Sequence, residues 1–276
     1  MKYKVNSQLV YTINQPSTFI FNLQVVRNDF QKIIAEELQV DPQLPFDELI
    51  VDENRNRYVR LVAPVGKLAV NYQATVDLSH FFTDGKDTAE VPPSQLPMET
   101  FQYLYPSRYC QSDMLFGLVQ SEFNNLEPGY QRVAAICDWI YEKVTYLSGS
   151  SDSQTSAYET AMQRAGVCRD FAHLGVGFCR ALNIPARFVS VYAYKLEPQD
   201  FHAVFEAYLG DRWYLFDATK LAPKEGFIRV GTGRDAADVS VATIFGSVKL
   251  EEMKISVDQV RQEKEADNMG EAIAIA

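Results

Sequence analysis

The chain predicts an α+β fold in which an N-terminal antiparallel β-sandwich precedes a domain that places helices first and antiparallel strands second. Three observations support this: strand-type alternation from Tyr3 to about Leu78, a proline-rich interruption, and helical periods followed by strand runs. At 276 residues the chain exceeds the ~100–200 residues of one ordinary domain, which also argues for two units.

Val5, Leu9 and Tyr11 lead into Phe19-Ile20-Phe21, and Asn54-Arg55-Asn56-Arg57 reads as a hairpin tip before Tyr58–Val62 and Leu68–Val76. Residues 1–82 are therefore expected to form the sandwich. Residues 83–100 are expected to link it to the rest. There Val91-Pro92-Pro93-Ser94-Gln95-Leu96-Pro97 contains prolines that lack amide donors and favour extended backbone. Helical spacing marks Asp113–Asn124 and Tyr130–Val144, the second with Val133, Ile136, Cys137, Ile140 and Val144 on one face. After the polar loop Ser148–Ser156, helix resumes near Ala157, breaks at Gly166 and restarts at Cys168 until Asn183-Ile184-Pro185 stops it. Arg187–Tyr194, Phe201–Leu209 and Arg212–Asp217 read as strands, so residues 101–250 are taken as the second domain. Residues 251–276 are expected to be a strand and tail, frayed from Gln262 onward.

With 47% hydrophobic and 22% charged residues, the composition is that of a globular protein, neither disordered nor membrane-spanning. No stretch approaches the ~18 apolar residues of a membrane span, and the N-terminus lacks the apolar block of a signal peptide. A cytoplasmic protein without membrane or nucleic-acid partners is expected, because a net charge of -10 with scattered Lys and Arg gathers no phosphates. Four cysteines, Cys110, Cys137, Cys168 and Cys179, are too few for a disulfide scaffold and include no C-x-x-C pair. No cofactor or metal is expected.

Cys168 opens a helix, where unpaired amides and the macrodipole stabilise a thiolate. A step of about 100° per residue puts Phe171, Leu174, Gly175, Phe178, Cys179 and Leu182 on one face, with Arg169, His173 and Arg180 on another. The helix is thus expected to bury one side. A thiol nucleophile requires a base, and the chain has three histidines. His80 lies before the linker. His173 points about 140° from Cys168 and reads as a surface or interface polar residue. His202 remains. A two-residue turn at Gly210-Asp211 would pair Leu209 with Arg212 and Val204 with Asp217, placing Asp217 diagonally beside His202 on one sheet face. A three-residue loop would move Asp217 to the other face.

Ala165-Gly166-Val167-Cys168-Arg169-Asp170-Phe171-Ala172-His173-Leu174 and Cys179-Arg180-Ala181-Leu182-Asn183-Ile184-Pro185 resemble the nucleophile segment of the transglutaminase-like superfamily. Phe201-His202-Ala203-Val204-Phe205-Glu206-Ala207-Tyr208 and Trp213-Tyr214-Leu215-Phe216-Asp217-Ala218-Thr219 resemble its histidine and aspartate segments, in order. The resemblance covers roughly residues 101–246, and the N-terminal half is similar to the β-domain that precedes this core in bacterial members. It implies a papain-like core, a catalytic triad of Cys168, His202 and Asp217, and a peptide or protein substrate attacked at a carboxamide or ester. Val204 stands where many members have Trp, and Ala218 where Pro is familiar; both departures are expected to alter the walls of the cleft. For the oxyanion, the Cys168 amide is one donor, with Tyr146 or Gln154 as candidates for the second.

Other readings are open at this level. A protease or amidase competes with a crosslinking transglutaminase, since both form one acyl-enzyme and differ in whether water or an amine resolves it. Hydrolysis is favoured for so compact a core. Calcium dependence is not expected without a D-x-[DN]-x-[DN]-G loop. A fold kept as an interaction module without activity is the third reading. Gly231-Thr232-Gly233-Arg234-Asp235-Ala236 fits G-x-G-x-x-A, but Asp235 would meet a pyrophosphate and too little chain follows for a doubly wound domain. A structural role near the cleft is expected for this segment. The oligomeric state is left open.

Overall fold

Alternation of apolar and polar residues along β1 (Lys2–Ile13) buries Tyr3, Val5, Leu9, Tyr11 and Ile13, as expected of a strand with one face on a core. The same pattern continues through β2 (Ser17–Phe21), β5 (Asn56–Ala63) and β6 (Gly66–Leu78), while the edge strands β3 (Gln31–Asp41) and β4 (Phe46–Val51) are largely exposed. The structure, a computed structural model, describes residues 1–51, 55–260 and 272–275. Two short elements of the next region are β7 (Phe81–Thr83) and a parallel bridge between β8 (Thr145–Tyr146) and β9 (Ala165–Gly166). The helices are α1 (Ser112–Phe123), α2 (Tyr130–Lys143), α3 (Ala157–Gln163) and α4 (Cys168–Ala181). Among the described residues no helix is long and apolar enough to cross a membrane.

The remaining strands are β10 (Ala186–Ala193), β11 (Phe201–Leu209), β12 (Arg212–Phe216), β13 (Phe227–Gly233), β14 (Ala242–Phe245), β15 (Val248–Gln259) and β16 (Ala272–Ala274). They form three main sheets: β15-β1-β6-β3, β14-β2-β5-β4, and the core sheet β13-β10-β11-β12-β16-β7. The first two make the sandwich expected at the N-terminus, with β14 and β15 supplied by the far end of the chain. Helix α4 lies against β11, and the approach is close: a Cβ at Gly175 would come within 2.4 Å of the Phe205 ring. Only a residue without a side chain fits there.

Three sequence expectations require correction. Asn56 and Arg57 are not part of a hairpin tip but the start of β5, and both are buried. Asn56 exchanges two hydrogen bonds with the Thr232 backbone, and Arg57 donates to the Val25 carbonyl and to Glu36. Distant partners thus turn polar residues inward. The frayed tail expected from Gln262 falls mainly on residues 262–271 and 276, outside the described residues, but Ala272, Ile273, Ala274 and Ile275 are buried. Ile273 pairs with Leu215, and β16 fills the gap between β12 and β7. The third concerns 83–100, which is docked on the core: Glu90 accepts from the Gly129 amide at 2.9 Å and pairs with Arg132, and the Ala89 carbonyl accepts from Gly210.

Candidate active site

The chain enters α4 through Val167, in extended conformation at φ -114°. The Asp170 carboxylate folds back to accept from the Val167 amide at 2.8 Å and from the Ser151 hydroxyl, so an N-terminal donor and a fully buried carboxylate satisfy each other. This closure fixes the first turn and presents Cys168 at the positive end of the helix. Cys168 is half-buried, whereas Cys110, Cys137 and Cys179 are buried. Burial pushes the Cys110 thiol up to about 12 and the Cys137 and Cys179 thiols well above their ordinary value, leaving those three neutral and packed.

Helix α4 differs from the amphipathic element its spacing suggested. Asp170, His173 and Arg180 are buried along with the apolar face, because loops cover the polar side. Arg180 donates to the carbonyls of Tyr105, Ala186 and Arg234. His173 is a buried packing residue and not a surface one: its ring stacks on Tyr109 at 5.0 Å between centroids, and Nε2 accepts from the Ala236 amide at 3.1 Å. Burial holds its pKa well below 6.5, so it stays the neutral acceptor that this contact needs. His80 is likewise held neutral, its pKa lowered to about 3 by burial and the nearby Arg229.

The β11–β12 hairpin has the two-residue turn expected at Gly210-Asp211, with Gly210 at φ +60°, and its register pairs Leu209 with Arg212 and Phe205 with Phe216. One step further, that register sets Val204 opposite Asp217. His202 and Asp217 consequently meet on one face, with Nε2 to Oδ2 at 3.0 Å and both side chains almost wholly buried. The other carboxylate oxygen, Oδ1, accepts from the Thr219 amide at 2.8 Å and the Thr219 hydroxyl at 2.7 Å. Thr219 thereby orients Asp217. The spacing Asp217-Ala218-Thr219 is that of an Asx-type turn, a signal present in the sequence that went unused.

With Nε2 on Asp217, Nδ1 is the ring nitrogen left to face the sulfur, and the Cys168 side chain lies near enough to His202 to act on its titration. Burial pulls the imidazole pKa down, but the bond to Asp217 and the neighbouring Cys168 sulfur outweigh it and hold the pKa up at about 10. The imidazolium is favoured at neutral pH. Tyr146 enters from the other side, set by the β8–β9 bridge that pairs it with Gly166, two residues before Cys168. Its hydroxyl lies beside Cys168, near enough to the backbone N–H and the sulfur for both to act on the phenol. Desolvation and the neighbouring sulfur push the phenol up to about 12, so it remains a donor. Gln154, the alternative second donor, is exposed, and its Oε1 accepts from Arg108 at 2.7 Å.

Residues 118–218 match the profile of the transglutaminase-like superfamily, and residues 1–99 match the N-terminal domain of bacterial transglutaminase. The crystal structure of a candidate cysteine protease from Cytophaga hutchinsonii superposes with a TM-score of 0.94 at 44% identity, covering 99% of this chain and 97% of that one. The chain belongs to the transglutaminase-like superfamily. An uncharacterised Mycobacterium tuberculosis protein is 27% identical over 267 residues, 86% of this chain and 84% of its own length. A Mycobacterium leprae relative is 29% identical over 147 residues, and the match spans 53% of that protein, about half its length.

Within this transglutaminase-like core, Cys168, His202 and Asp217 all fall inside the matched residues. Two departures from the superfamily pattern were expected to alter cleft walls. Val204 and Ala218 are instead buried among apolar side chains. Of the glycine segment 231–236, Gly231–Gly233 end β13 in an antiparallel sheet and the rest turns away, with Asp235 buried and accepting from the Tyr109 amide at 2.8 Å. No helix follows it among the described residues. The strand–turn–helix context of a dinucleotide fingerprint is missing there.

Proposed function

We propose that this chain is a thiol-dependent acyl-transfer enzyme that hydrolyses peptide or amide bonds through an acyl-enzyme, with Cys168 as nucleophile, His202 as acid and base, and Asp217 orienting the imidazole. The observation that carries this reading is the convergence of the half-buried Cys168, at the start of α4, on a His202 that is itself bonded to Asp217 at 3.0 Å. The sulfur adds to the carbonyl carbon, and the developing oxyanion settles between the Cys168 amide and the Tyr146 hydroxyl. It then accepts from both groups. As the C–N bond breaks, the His202 imidazolium gives its proton to the leaving amine. A water then enters, His202 removes its proton, and the hydroxide releases the acid and the thiolate. The 44% identical candidate cysteine protease supports hydrolysis over amine transfer.

Incubation with a panel of peptide amides, read by mass spectrometry for cleavage and for an acyl adduct on the Cys168 peptide, tests this. Cys168→Ala should lose both signals, and Tyr146→Phe should lower kcat by about 10²- to 10³-fold, the cost of one oxyanion donor. Folded wild-type protein that neither reacts with iodoacetamide at Cys168 near pH 7 nor turns over any amide or ester would sink the proposal. Products carrying an added amine in place of water would convert it to transamidation.

A further inference from the structure

Cys168 lies between two walls. On one side stand Tyr146 and Leu147, both exposed. On the other is the stretch after β13, where Ala236 and Val239 pack with Cys168, Ala172, Phe188 and Ala203. From within the core, this second wall is held by His173 at the Ala236 amide, by the Arg180 guanidinium at the Arg234 carbonyl (2.6 Å), and by its own Arg234–Asp238 ion pair. Those bonds fix one flank of the stretch only.

The other flank is fixed from the sandwich. The Tyr58 hydroxyl on β5 donates to the Asp238 carbonyl at 2.7 Å, and the Asn22 amide donates to the Val241 carbonyl at 2.9 Å. At the near end, Asn56 and the Thr232 backbone exchange bonds of 2.7 and 2.9 Å. The three contacts bracket the wall at 232, 238 and 241. A β-domain acting as a separate binding module would have no reason to grip this segment at its two ends and its middle.

We infer that the N-terminal β-sandwich is part of the substrate groove because it holds the groove's second wall, with Tyr58 as the positioning residue that sets the wall's distance from Cys168. The inference rests on the acyl-transfer reading above. A substrate chain crossing Cys168 lies between Tyr146 and Ala236, and small residues, Ala236 and Ala203, line the floor on that side. The wall packs beside Cys168 and along the bound chain, and it supplies neither a hydrogen-bond donor to the oxyanion nor a bond to His202. Loosening it therefore weakens binding of substrate and transition state alike, which raises KM and spares kcat.

The test is Tyr58→Phe in the full chain, which removes one oxygen and keeps the ring. With the best peptide amide, KM should rise about 2- to 10-fold, the range of one neutral hydrogen bond, while kcat and the rate of iodoacetamide labelling at Cys168 stay within twofold. Val62→Thr, on the same outward face of β5 and exposed at 61%, is the control and should change neither. An unchanged KM in Tyr58→Phe overturns the inference. So does a fall in kcat accompanied by slower labelling, since the substitution would then be acting on the nucleophile through general loosening. Absence of turnover and of labelling in wild-type protein marks failure of the acyl-transfer reading instead.

Discussion

His202 carries the most informative single-residue electrostatics. Its pKa stands raised from 6.5 to about 10, so the folded state binds a proton there that the unfolded chain releases above pH ~6.5. The sign follows: this contribution to stability is complete below pH ~6.5 and is lost as pH rises through about 10. The urea midpoint of wild-type protein should fall between pH 7 and pH 10, and Asp217→Asn, which removes the charge bonded to Nε2, should flatten that decline. An equal decline in both proteins would show that the contact does not set the imidazole pKa. Thr219 sharpens the same point, since its amide and hydroxyl occupy Oδ1 of Asp217 and leave Oδ2 for the ring.

At the scale of elements, α4 and β11 decide the site because one carries Cys168 and the other His202. Their spacing depends on Gly175, where a Cβ would meet the Phe205 ring at 2.4 Å; Gly177 does the same for the α4–α1 contact, where a Cβ would meet Leu115 at 2.9 Å. Gly175→Ala should force α4 and β11 apart and cost about 1–3 kcal/mol, the range for overpacking a filled core. Turnover should fall more than stability alone accounts for, because displacement of about 1 Å between nucleophile and base is costly. Denaturant unfolding and kcat of the folded variant check both parts. The hairpin β11–β12 was legible beforehand, since Gly210-Asp211 dictates the register locally. Burial of the polar face of α4 was not. Its cover comes from the segment around 105–109 and from 234–236, far from the helix in sequence.

For the whole molecule, the two halves are joined by a common apolar cluster. Tyr192, Ile228 and Val230 of the core sheet pack in the same cluster as Tyr3, Phe19 and Leu61 of the sandwich. Tyr192 donates to the Leu23 carbonyl at 2.7 Å, and the Gln31 side chain bonds the Arg229 backbone in both directions at 2.9 Å. Strands β14 and β15 run back to pair with β2 and β1. Residues 101–250 expressed alone should therefore expose this apolar face and fail to give a soluble, cooperatively unfolding protein. Recovery of that fragment with native near-UV circular dichroism and a sharp urea transition would establish independent domains at those boundaries.

What the sequence determined by itself was local: strand alternation, the helix that begins at Cys168, the turn at Gly210-Asp211, and the placing of Asp217 beside His202 that follows from it. These depend on residues within one turn or one hairpin of each other, so periodicity and turn chemistry report them directly. Tertiary structure alone decided which polar residues turn inward. It buried His173 against Tyr109 and Ala236, set Tyr146 and not Gln154 at Cys168, drew Asn56 and Tyr58 toward the stretch after β13, and inserted β16 into the core sheet. Each of these outcomes depends on a partner 16 or more positions away in sequence. The partner's hydrogen bond or apolar surface offsets a desolvation cost that local sequence registers only as polarity.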